Sequence, residues 1–155
     1  VGHAALPYAL RHTVRGSGAG TCAYGDGVAF GKLAGPMPNQ TVAGSQATLV
    51  CPDLTDSGAV SLGDPFLLVP PEGTSPDGSA WPTFLFYTMR DALGVGTIGV
   101  ATSTDDGATW AHQGVALSCR GLSLSSPWVT WDAQAGLFVM VPAARRSPWP
   151  FVWLW

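Results

Sequence analysis

Few residues in this chain can move a proton or hold a ligand, and the best placed of them fall in two short stretches. The first is STDDGATW, residues 103–110, which sets Asp105 and Asp106 beside the hydroxyls of Ser103 and Thr109 and the indole of Trp110. Two carboxylates next to a hydroxyl and an aromatic ring can make an acid/base pocket with a stacking platform. The same residues can also make a tight turn: an Asp accepts hydrogen bonds from downstream amides, Gly107 supplies a positive φ, and Trp110 folds back over the apolar base. The second stretch is Gly63-Asp64-Pro65-Phe66, where Asp64 stands just before a strongly apolar run. A carboxylate there can project into a cavity as a base or sugar ligand, or it can cap a turn ahead of the proline.

Other candidates carry less. Gly94, Gly96 and Gly99 satisfy G-x-G-x-x-G, but a dinucleotide site needs a strand before that motif, a helix opening on it and an acidic residue about 20 positions later. Here VATSTDDGATW follows, and the region near Cys119 has no carboxylate, so a nucleotide site is rejected. His3, His12 and His112 are far apart, lack ligand spacing and have no evident Ser or Cys partner, which leaves no triad. Glu72, Asp77 and Asp91 read as solvated loop residues. Cys22, Cys51 and Cys119 lack C-x-x-C spacing, which disfavours zinc and leaves open either one disulfide with a spare thiol or three thiols. Asn39-Gln40-Thr41 fits a glycosylation sequon that matters only on the secretory route. The seven tryptophans can stack on sugar rings, but read first as packing residues.

The elements that must position these residues follow from composition and pattern. A chain of 155 residues fits one domain of ordinary size, about 100–200 residues. Its charged fraction is 11% against the usual share of about 25%, and its 20 Gly and 13 Pro mark a turn-rich chain. A net charge of -3 with seven Lys and Arg provides no electrostatic footprint for nucleic acid. No apolar run reaches the roughly 18–20 residues of a membrane span, PWPFVWLW being far too short.

Residues 1–47 are Gly-rich and weakly patterned, and are expected to be irregular, mostly loops with two short strands. From residue 59 apolar clusters alternate with turn signals: GDPFLLVPP, TFLFYTM, TIGVATS, WAHQGVALS, SSPWVTW and GLFVMVPA, the last two joined by DAQA as a hairpin. No segment there reads as an amphipathic helix. Short strands at this spacing predict an antiparallel all-β fold. The first four make a meander that would form one propeller blade and the next pair would begin another, although the periodicity alone fits a sandwich equally. STDDGATW then connects two strands, which favours the turn reading. It also resembles the Asp-box consensus of sialidases and other β-propellers, which implies structural roles for Ser103, Asp105, Gly107, Thr109 and Trp110.

Taken in order, CPDLTD, SLGDPFLLV, FLFYT, IGVATSTDDGATWAHQGVAL, LSSPWVTW and LFVMVP resemble the N-terminal domain of the plant and algal glucosamine inositolphosphorylceramide transferase family. There a C-x-x-V-T-D segment precedes A-D-P-F, an I-G-x-A-x-S-x-D-x-G-x-T-W stretch precedes L-G-x-A-L, and L-S-Y-P precedes a strand ending in M-P-E. The resemblance implies a five-bladed propeller of the arabinanase- and invertase-like kind, joined to a separate glycosyltransferase domain in Golgi membrane proteins that use a nucleotide sugar and a divalent metal. It divides this chain into an irregular segment over residues 1–47, a propeller-like domain of about one and a half blades over 48–142, and a divergent apolar tail over 143–155.

This chain has no D-x-D motif for metal and nucleotide sugar, so those cofactors are expected to belong to the other domain. Asp64 alone matches the hydrolase base position. Trp128 stands where the second carboxylate belongs, Ala143 replaces the Glu of M-P-E, and Tyr87 or Thr88 falls at another acidic position. Glycoside cleavage requires two carboxylates flanking the bond. The expectation is therefore a non-catalytic unit for recognising or scaffolding carbohydrate or glycolipid. The rival readings are a divergent glycoside hydrolase fragment using Asp64 as base and a truncated remnant without function.

Overall fold

The computed structural model describes residues 8–13, 27–34, 41–42, 48–52, 58–71, 75 and 78–146, with side chains from residue 50 onward. Its described residues contain ten strands and no α-helix: β1 Tyr8–Thr13, β2 Gly27–Ala34, β3 Thr41–Val42, β4 Thr48–Val50, β5 Ser61–Leu68, β6 Thr83–Arg90, β7 Gly96–Ser103, β8 Ala111–Leu117, β9 Leu122–Asp132 and β10 Leu137–Arg146. Every pairing is antiparallel. The strands form three sheets: β1–β2–β3 with β4 also on β2, the meander β5–β6–β7–β8, and the hairpin β9–β10.

The six strands expected from residue 59 onward all form, and the first four make the expected meander. The N-terminal segment differs from expectation. Its described residues carry three strands, and β2, GVAFGKLA, is the one that β1, β3 and the following β4 pair with. Ladder bonds use backbone groups that glycine also possesses, so pairing there leaves little apolar periodicity in the sequence. β10 also runs four residues past residue 142 to Arg146. Cys22, the Asn39 sequon, His3, Glu72, Asp77 and residues 147–155 lie outside the described residues.

A single device sets how the sheets face one another. Between Gly63↔Thr88 and Phe66↔Phe86, β5 advances by one residue more than β6, so Asp64 and Pro65 together oppose Tyr87. This bulge is made by Asp64 at φ 47 and by Pro65, which has no N–H for the ladder. The extra residue resets side-chain parity. Leu62 and Leu67, which a regular strand would place on opposite faces, both enter one core cluster with Val50, Leu85, Tyr87, Met89 and Ala101. Phe66 and Leu68 turn to the other face, where they pack with Phe84, Phe86 and Ile98 against Leu124 and Val129 of β9.

β9 repeats the device. Ser125↔Ala143 and Trp128↔Val141 leave Ser126 and Pro127 opposite Pro142, with Ser126 at φ 50. The sequence Leu62-Gly63-Asp64-Pro65-Phe66-Leu67 thus matches Leu124-Ser125-Ser126-Pro127-Trp128-Val129 position for position. Leu62 and Leu67 face the cluster that holds Val50 of β4, and Leu124 and Val129 face the meander. Each unit packs its aliphatic pair on the sheet before it.

Close backbone approach fixes the second contact. Gly96 donates its N–H to Ser123 Oγ at 2.8 Å in a buried bond, and a Cβ at Gly96 would lie 2.1 Å from the Leu124 carbonyl oxygen. Gly96→Ala must therefore push β7 off β9, and is expected to lower unfolding free energy by about 3 kcal/mol. Gly94→Ala, in open space at φ +75, is expected to cost only about 1–2 kcal/mol for its left-handed backbone. Urea denaturation of the two variants checks the difference, and equal losses would refute the packing argument.

Candidate functional site

The loop 103–110 joins β7 to β8, and its side chains are turned inward on the loop itself. Ser103 Oγ donates to Asp105 Oδ1 at 2.8 Å and accepts the Gly107 N–H at 2.8 Å. Asp105 Oδ1 also accepts the Thr109 N–H at 2.8 Å, and Oδ2 accepts the Thr109 hydroxyl at 2.5 Å. Asp106 and Gly107 take positive φ, 59 and 85. Trp110 packs against the cluster of Leu62, Leu85 and Tyr87. The hydrogen bonds from the Thr109 hydroxyl, the Thr109 amide and Ser103 hold the Asp105 carboxyl at about 2, down from its ordinary 3.8. Both oxygens of Asp105 are thus committed to neighbours within four residues.

Asp64 is differently placed. It lies inside β5 at the bulge, rather than ahead of the strand as its sequence position implied. Its Oδ2 accepts the Thr88 hydroxyl at 2.9 Å and approaches the Arg90 guanidinium at 3.4 Å. Thr88 is fully buried, and its Oγ1 also accepts the Ser126 N–H at 3.1 Å. One threonine therefore ties the left-handed residue of β5 to the left-handed residue of β9. The Asp64 and Arg90 side chains remain 39% and 32% exposed, so this node is structurally braced and still open to solvent.

The remaining candidates disperse. Tyr87 is fully buried on the opposite face of β6, and its hydroxyl bonds His112 Nδ1. Burial pushes the phenol well above its ordinary pKa and keeps it protonated. Asp91 closes its own turn by accepting the Leu93 and Val95 N–H groups, each at 2.9 Å. Beside Arg90 a depression of about 180 Å³ is walled chiefly by Ala59, Met89, Val95, Thr97 and Val115. Met89 and Thr97, paired across β6 and β7, set it on the face away from Ser126. Trp128 lies on the outer face of β9, 52% exposed. Cys51 is disulfide-bonded and Cys119 is free and exposed. Among the described residues no group of His, Cys, Asp and Glu is arranged to hold a metal ion, and no helix is long and apolar enough to cross a membrane.

Sequence reasoning singled out Asp64 and, as a departure, Trp128. It missed that Thr88, Arg90 and Ser126 gather on Asp64, and it found no partner for His112. The signal for Ser126 was the shared x-x-Pro step of the two strands. Nothing local marks Arg90, which reaches Asp64 only through the β5–β6 register.

These features define the class: an antiparallel all-β domain of stacked sheets in which a solvent-open carboxylate, braced from across the sheet, sits at a strand bulge. The chain belongs to the family of the glucosamine inositolphosphorylceramide transferase 1 N-terminal domain, whose profile matches residues 38–148. No curated protein and no solved structure matches it.

Two outcomes test the geometry. Thr88→Val removes the donor to Asp64 and leaves the Ser126 N–H without its acceptor, and is expected to destabilise by about 1–3 kcal/mol. Thr88→Ser should recover most of that loss in urea denaturation. For Asp105, a folded pKa below the ordinary value means that its charge contributes stability at pH above about 4, and that this is lost as pH falls toward 2. Asp105→Ala should flatten stability against pH across that window while leaving the profile above pH 5 parallel to wild type, as followed by circular dichroism.

Proposed function

We propose that this chain is part of a β-propeller and serves as a carbohydrate or glycolipid recognition or scaffolding unit beside a sphingolipid glycosyltransferase, without catalysing a reaction itself. Its setting would be the Golgi, with nucleotide sugar and divalent metal bound by the transferase domain. The stacking of the meander on β9, with the same aliphatic pair repeated in β5 and β9, supports the propeller reading. The bonds within residues 103–110 support reading that loop as an Asp-box, in which Ser103, Asp105, Gly107, Thr109 and Trp110 build the turn.

One observation carries the non-catalytic reading. Cleaving a glycosidic bond takes an acid and a base or nucleophile on opposite sides of it. Among the described residues, Asp64 is the only carboxylate at the node joining the two repeated bulges. The equivalent place in β9 holds Ser126, and the next outward residue is Trp128. A lone carboxylate bonded to a threonine and paired with an arginine is suited to orienting hydroxyls rather than to exchanging protons with them.

The full 155-residue chain is therefore expected to retain glycans on an array and to release no sugar from arabinan, xylan or fructan. Release abolished by Asp64→Asn would establish the hydrolase reading in its place. Absence of a cooperative unfolding transition by circular dichroism would leave only the remnant reading.

A further inference from the structure

We infer that Asp64, Arg90 and Ser126 form a binding site for a neutral diol, two adjacent hydroxyls of a sugar or other polyol. This rests on the recognition reading above and gives it a location.

Three observations meet at this place. The first is backbone conformation. Asp64 and Ser126 occupy equivalent positions in the repeated bulge and both take positive φ, 47 and 50. Glycine would relieve the strain at either position. The chain instead places a carboxylate and a hydroxyl there, and such strain in bulges beside exposed polar groups gathers at functional sites. The second is bracing. Asp64 and Ser126 are held by two hydrogen bonds in series through the buried Thr88 hydroxyl, at 2.9 and 3.1 Å. Their separation is thus set before any ligand arrives.

The third is bonding capacity left over. No described group donates to Asp64 Oδ1 or bonds Ser126 Oγ, and the Arg90 guanidinium makes one long contact at 3.4 Å. The node therefore offers a strong acceptor, a multiple donor and a hydroxyl capable of both roles. A diol matches this set, since each of its hydroxyls donates once and accepts as well. Charge selects against the alternatives. An ammonium drawn to Asp64 meets Arg90, and a phosphate drawn to Arg90 meets Asp64.

The test titrates the full chain with methyl α-D-glucopyranoside, methyl α-D-mannopyranoside and methyl β-D-galactopyranoside, with glucosamine and glucose 1-phosphate as charged controls, following backbone amide NMR shifts. At least one neutral glycoside is expected to shift the amides of Asp64, Arg90 and Ser126 while leaving residues 103–110 unmoved. Asp64→Asn, which keeps an acceptor for Thr88, is expected to weaken that binding about tenfold or more. Ser126→Gly relaxes the backbone and removes the hydroxyl, so it should weaken binding in a protein at least as stable as wild type. Undiminished affinity in both variants overturns the site and leaves the recognition reading standing. Tighter binding of either charged control overturns the neutral-diol assignment. Absence of binding by these glycosides and by the array glycans overturns the site and the recognition reading together.

Discussion

The buried hydroxyl of Thr88 is the point on which this architecture turns. It donates to Asp64 in β5 and accepts from the Ser126 amide in β9, so a single side chain satisfies polar groups from two bulged strands in different sheets. Without it, the part-buried Ser126 N–H would lose this acceptor, at a penalty of about 1–3 kcal/mol. The bulges in turn decide which residues become core. Only because each inserts one extra residue can Leu62 and Leu67, or Leu124 and Val129, point to the same side. Losing either bulge would return its aliphatic pair to opposite faces of the strand and take one of its two contacts out of the core.

The contrast between the two notable aspartates follows from the same geometry. Asp105 is surrounded by donors from its own turn, which leaves its charge fully compensated and its pKa low. Asp64 takes its partners from across the sheet, and they satisfy one of its oxygens. A carboxylate bonded locally on both oxygens supports a loop. One bonded from a single side keeps a direction in which to act. The turn reading of residues 103–110 and the separate interest of Asp64 thus rest on one difference, whether the partners are local or come from across the sheet.

Much of the strand pattern could be read without coordinates, because the six strands from residue 59 onward are apolar clusters cut by turn residues, and a hairpin loop announces itself through Asp and Gly. The candidate site was legible only in Asp64. Thr88, Arg90 and Ser126 join it through cross-strand register, and register depends on a bulge whose presence shifts every later pairing by one. The Asp-Pro and Ser-Pro steps that make the bulges are visible in the sequence, but two three-letter similarities separated by a long stretch carry no weight until each is seen to break a ladder. The strands before residue 51 were obscured for a different reason. In β2, GVAFGKLA, the alternation of Val28 and Phe30 is cut at once by Lys32 and interrupted by Gly31, which leaves too short an apolar stripe to find.

The repeat also accounts for the least balanced part of the surface. Phe66 and its cross-strand partner Phe86 are covered by β9. Trp128 and Val141, which hold the equivalent positions in the hairpin, are 52% and 56% exposed, and Leu137 nearby is 48% exposed. A two-stranded sheet is marginal unless one face is firmly packed, and here the inner face supplies that packing. Trp131 and Phe138 meet edge to face at 4.8 Å, Trp81 and Phe138 at 5.3 Å, and Phe84 lies 5.6 Å from Phe138. The hairpin is thus anchored by aromatic contacts at its turn end and by the Thr88 bridge at its bulge. Those two attachments lie on the same side of the sheet and fix its orientation, which is why Ser126 can be held beside Asp64 while the outer face of β9 contributes nothing to holding it there.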